Sequence, residues 1–217
     1  MLTFQRILID LSPMFIAILI GMLVYKKLPV FYRILFFQVL IFTVVDIYGT
    51  TIPINNVLVY NISMIIEINL FFLAAYTYFN SIASKRMMFI FCSLFISLFL
   101  FDICYSGMHQ LAKHAYIAGG ILITGTYITI LYYHFIKRDD KYNTLSLVLV
   151  SVGSIIYFAG MVPYLSIMDY FQKKDPIFNK VLFQYLMVIP GSIRYLCIAM
   201  AFFFLGKFEF KALKPSR

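Results

Sequence analysis

Tryptophan is absent and charge is scarce. The 217 residues include 9 acidic and 18 basic side chains, 3 His and 3 Cys. Charged residues make up 12% of the chain, against about 25% in an average soluble domain. With a hydrophobic share of 63% and a mean hydropathy of +0.91, this composition excludes a soluble globular domain, a disordered chain and a disulfide scaffold. The three cysteines, at 92, 104 and 197, lie in apolar stretches without CxxC spacing and read as small buried hydrophobes.

Further absences narrow the chemistry. An intramembrane hydrolase of the ceramidase or adiponectin-receptor type needs a multi-His zinc site, and the three His here are dispersed. Asp102, His109 and His114 are the one conceivable ligand set. The two His are five residues apart, not at the i, i+4 spacing that puts both on one helical face, so neither metal nor cofactor is expected. No Lys falls inside an apolar segment, which rules out a retinal Schiff base. G-x-S-x-G, P-loop and G-x-G-x-x-G motifs are missing. The net charge of +9 has no soluble basic face to sit on, so nucleic acid is not an expected partner.

What is present is seven apolar segments, at 7–25, 34–52, 57–79, 87–105, 115–136, 146–168 and 181–206. Polar breaks separate them: Lys26-Lys27, Pro53 with Asn55-Asn56, Ser84-Lys85-Arg86, Gly107 to His114, Lys137 to Lys141 and Asp169 to Lys180. About 20 apolar residues span a hydrocarbon core, and backbone in lipid must satisfy its own hydrogen bonds, so each segment is expected to be a helix. The fold class predicted is an all-α membrane protein, a seven-transmembrane-helix bundle forming one integral domain over 1–217.

Charge sets the expected orientation. Arg6, Lys113, Lys173, Lys174 and Lys180 lie on one side. Lys26, Lys27, Arg33, Lys85, Arg86, Lys137, Arg138, Lys141, Lys207, Lys211, Lys214 and Arg217 lie on the other. The positive-inside rule puts the N-terminus outside and the C-terminus in the cytoplasm.

Five charges fall within the segments: Asp10, Asp46, Glu67, Asp102 and Arg194. Each costs about 2.5–3.5 kcal/mol on insertion scales, so each should face the bundle interior. At 1.5 Å per residue, Glu67 lies about 15 Å and Arg194 about 20 Å from the outer surface. They are the opposite charges at mid-membrane depth, and a fork-type contact between them is predicted. Either a structural clasp or a ligand- or proton-linked switch accounts for such a pair.

Helical spacing adds neighbours to each side of the pair. Tyr60, Ser63 and Glu67 share a face of segment 3, with Ala74 and Tyr78 beyond them. Gln184, Met187, Gly191, Arg194 and Ala201 share one of segment 7. Gly153, Tyr157, Gly160 and Tyr164 do so in segment 6, and Thr43, Asp46 and Thr50 in segment 2. Such stripes suit plain helix packing or an interior pocket opening outward. Pro163 and Pro190-Gly191 are expected to kink segments 6 and 7.

Asn55-Asn56, Tyr60-Asn61, Ile65-Ile66-Glu67 and Tyr157-Phe158-Ala159-Gly160 before a proline, on a seven-span plan with short loops, resemble a family of small, uncharacterised bacterial integral membrane proteins. The resemblance implies a bacterial inner-membrane location and supplies no activity. Function is therefore expected from the polar interior: a receptor- or sensor-like bundle with an outward-opening pocket for a small ligand and a cytoplasmic signalling partner. The alternatives are a small-solute or ion transporter or channel, and a metal-free lipid-modifying enzyme. An enzyme is the least expected of the three.

Overall fold

The structure is a computed structural model that describes residues 2–51, 56–137 and 142–212, with side chains for 11–49, 56–136 and 142–207. Helices follow one another through short connections: α1 (Leu2–Val24), α2 (Val30–Thr51), α3 (Val57–Tyr78), α4 (Ile82–Ser106), α5 (Lys113–Lys137), α6 (Thr144–Lys174), α7 (Pro176–Phe183) and α8 (Ile189–Ala212). A π-helical turn, Gln184–Val188, joins α7 to α8 without a break. No strand occurs among the described residues. Six of the helices, α7 and α8 counting as one, are long and apolar enough to cross a membrane. The chain is a multi-pass membrane protein in that sense.

Asp10 and Thr50 lie outside the described side chains, and Pro53 and Asn55 outside the described residues.

The predicted segments and the helices differ most at the sixth break. Asp169 to Lys180, read as a loop, is almost entirely helical: α6 runs to Lys174 and α7 begins at Pro176. Apolarity ends before helicity does, because a helix leaving lipid loses nothing by continuing into polar sequence. Asp175 makes the turn. Its side chain accepts from Phe178 N at 2.9 Å and Pro176 occupies the first helical position, where a missing N–H is harmless. Pro163 does not interrupt α6. The irregularity near Pro190 is instead the π turn before it.

Consecutive helices pack antiparallel, giving the bundle two ends. One, called here the basic end, carries the α1–α2, α3–α4 and α5–α6 connections. There Phe31, Tyr32, Tyr78 and Tyr142 form an aromatic knot, with Tyr78 stacked on Tyr142 at 5.5 Å.

The opposite end is fastened by polar side chains. Asn61 Nδ2 donates to the carbonyls of Met108 and Gln110, at 3.2 and 2.8 Å, and its Oδ1 accepts from Ala112 N at 3.1 Å. Asp102 accepts from Ala115 N at 2.9 Å, capping α5, and its other oxygen is 2.8 Å from His114 Nδ1. Gly107 closes α4 at φ 81°, a backbone region that glycine enters without strain. Lys113 pairs with Asp169 across to α6. Asp102 is thus a helix cap, and among the described residues no group of His, Cys, Asp and Glu could hold a metal ion.

Helix α4 lies at the periphery with most of its surface toward lipid. Cys104, expected to be buried, is therefore exposed, while Cys92 and Cys197 are half-buried.

Candidate functional site

Arg194 is the largest fully buried side chain among the described residues, with 1% of its surface exposed. Its Nη1 donates to Glu67 Oε1 at 2.7 Å, joining α8 to α3. The same carboxylate oxygen accepts from Gln38 Nε2 at 3.2 Å, which brings in α2. Arg194 Nη2 turns to the hydroxyl of Tyr195 at 2.5 Å. The contact is therefore single-pronged and not the fork that sequence suggested. The neighbouring tyrosine takes the second prong, and Gln38 shares the first acceptor oxygen.

Aromatic rings enclose the guanidinium. Its central carbon lies 4.0 Å from the ring centroid of Tyr157, 4.5 Å from Tyr195, and 5.7 Å from both Phe71 and Phe158. Each such contact is worth about 0.5–2 kcal/mol, so the cage offsets much of the cost of holding a cation in lipid. The cage exists because α6 and α8 approach closely at Gly153. A Cβ there would lie 2.9 Å from Cys197 Cβ and 3.2 Å from Arg194 Cα.

Around this centre the predicted residues divide. Tyr157 joins the pair directly. Asp46 is half-buried and within electrostatic reach of Glu67 and Arg194. Tyr60 lies beyond Asp46, its backbone carbonyl accepting from the Tyr116 hydroxyl at 3.0 Å. These half-buried groups sit between the pair and the end opposite the basic one.

The other predicted residues stand apart. Thr43 is buried but hydrogen-bonds to Val39 O of its own helix, and Ser63 likewise to Tyr60 O. Tyr164 packs its ring on Phe183 at 5.7 Å, away from the pair. Gln184 is exposed within the π turn. That turn inserts one extra residue, so the face drawn back from Arg194 at regular spacing misses it.

Sequence reasoning missed Gln38, Tyr195, Phe71, Phe158, Tyr116 and Tyr127. Gln38 had a signal, since an amide alone in a long apolar run must find a partner. The aromatic residues had none, because Phe and Tyr are too common in this chain to stand out.

No protein family, no curated protein and no solved structure matches the chain. The resemblance carried by Asn55 to Glu67 and Tyr157 to Gly160 therefore stands on those residues alone.

Proposed function

We propose that the protein is a receptor- or sensor-like bundle of seven spans, with α1 as the first, its N-terminus outside and its C-terminus in the cytoplasm of a bacterial cell. A small polar ligand or a proton would enter between α2, α3, α5 and α6, past Tyr60 and Asp46, and act on the Glu67–Arg194 pair. The observation that carries this reading is the position of that pair. One buried ionic contact, 2.7 Å long, ties α3 to α8 and, through Gln38 and the Tyr157 ring, reaches α2 and α6.

Neutralising Glu67 would remove the attraction and leave Arg194 buried without its counter-ion, a difference of several kcal/mol between two arrangements of the helices. The basic end, with Lys26, Lys27, Arg33, Lys85 and Arg86, is suited to anionic lipid or a cytoplasmic signalling partner.

With Cys92, Cys104 and Cys197 replaced by Ser, the test places spin labels on lipid-facing positions of α3 and α8, through Tyr76→Cys and Phe203→Cys, which are 43% and 50% exposed. Distance distributions are compared with and without Glu67→Gln. A switch predicts a second population or a displaced mean. Superimposable distributions would reduce the pair to a structural clasp.

A further inference from the structure

The pair is incomplete as a hydrogen-bonded unit. Gln38 Oε1 and Arg194 Nε are wholly buried and have no partner, although both belong to groups that donate to Glu67 Oε1. Two hydroxyls nearer the basic end, those of Tyr127 and Tyr32, are also wholly buried and unpartnered. A stranded buried polar atom costs about 1–3 kcal/mol, and folded proteins ordinarily meet such atoms with bound water.

Ring contacts connect the residues that carry them. The Tyr127 ring packs edge-on to Phe71 at 5.6 Å, and Phe71 is one of the rings beside the Arg194 guanidinium. Tyr127 is within electrostatic reach of both Arg194 and Tyr32. The Tyr32 ring is 5.9 Å from Tyr142, which leads out of the α5–α6 connection at the basic end. Tyr32 is two residues into α2 and Glu67 eleven residues from the end of α3, so these residues cover about 13–17 Å of bundle height at 1.5 Å per residue.

We propose that water bound to these atoms links the Tyr127 and Tyr32 hydroxyls into a proton relay between the Glu67 carboxylate and the basic end. The proposal rests on Glu67–Arg194 being a functional pair, and it names the proton as the species that reaches the pair from this side. A proton donated by bulk water at the Tyr142 end moves by successive hops. Each water or phenol accepts one proton on its oxygen and passes another forward, so no phenolate accumulates. The last hop converts the Glu67 carboxylate to a carboxyl and leaves hydroxide in the bulk. Arg194 keeps its charge throughout.

The charged and titratable groups facing Glu67 are Arg194 and Tyr195 on α8, Asp46 on α2, Tyr157 on α6 and Tyr116 on α5. All of these lie level with the pair or on its other side; toward the basic end the phenols are Tyr127, then Tyr32 with Tyr78 and Tyr142 packed beside it.

Hydrogen–deuterium exchange of the buried phenols tests the relay. Vesicles holding the full chain are moved into D2O, and the infrared ring mode of Tyr127 is isolated as the difference between wild type and Tyr127→Phe. A hydrated relay predicts that this hydroxyl exchanges long before the backbone amides of α5. It further predicts that Tyr32→Phe slows the exchange about tenfold, as expected for losing one hydrogen-bonded step. Tyr132→Phe, on an exposed side chain, should leave the rate unchanged. Protection of the Tyr127 hydroxyl to the same extent as those amides in the wild-type protein would overturn the proposal, as would indifference to Tyr32→Phe. No ligand and no helix movement enter this measurement, so its failure would leave the switch reading to be decided by the spin-label distances.

Discussion

Arg194 gives its second amino group to the residue next to it in the chain: Nη2 donates to the Tyr195 hydroxyl at 2.5 Å. Adjacent residues of a helix normally point about 100° apart, so both side chains must bend toward the same interior space. The guanidinium is thereby fixed from its own helix before Glu67 is reached. Tyr195→Phe should leave Nη2 without its acceptor and lower stability in detergent by about 1–2 kcal/mol, read from thermal melting. An unchanged midpoint would mean that Glu67 alone positions the arginine.

Close approach of α6 and α8 is a second dependency. Gly153 admits the backbone of α8 at Arg194, and any side chain there must displace it. Gly153→Val should cost about 1–3 kcal/mol by overpacking. It should also disturb the cage around Arg194, detectable as a change in near-ultraviolet dichroism of the tyrosines, which no tryptophan signal obscures. A fully stable variant with an unaltered spectrum would contradict the packing described.

Asn61 fastens the backbone of the loop between α4 and α5. Asn61 makes three hydrogen bonds to its backbone, at Met108, Gln110 and Ala112. Asn61→Leu should strand all three backbone groups, destabilise by about 2–3 kcal/mol and open the segment 107–112 to protease. Cleavage at the wild-type rate would show that the loop is held by other means.

Orientation is open to direct labelling. With Cys92, Cys104 and Cys197 replaced by Ser, Met108→Cys should react with a membrane-impermeant maleimide on intact cells, and Lys26→Cys only after permeabilisation. Met108 is 55% exposed and Lys26 is exposed, so both thiols would be accessible from their own side. The reverse pattern would invert the orientation read from Lys and Arg.

Helices were legible in the sequence because lipid allows little else: each long apolar run had to satisfy its backbone internally. That Glu67 and Arg194 stand at matching heights on α3 and α8 followed from counting residues at a fixed rise. Their meeting followed from the cost of leaving either alone. The contact geometry was not legible. Whether Arg194 forks onto Glu67 depends on the Tyr195 hydroxyl, and periodicity assigns neighbouring residues to different faces. Gln184 was misplaced for a related reason, since a π turn carries no sequence mark that separates it from regular helix. The extension of α6 to Lys174 was hidden because polarity marks the end of the membrane and not the end of the helix.

The central claim is that Glu67 and Arg194 support each other inside the bundle, and a double-mutant cycle measures this most directly. Glu67→Gln and Arg194→Gln alone should each lower stability in detergent by about 1–3 kcal/mol, because each leaves a buried partner without its counterpart. The double variant should regain part of the loss, with a coupling of about 1 kcal/mol or more. Strictly additive losses would mean that the two side chains do not act on each other, and the proposed switch would fall with them.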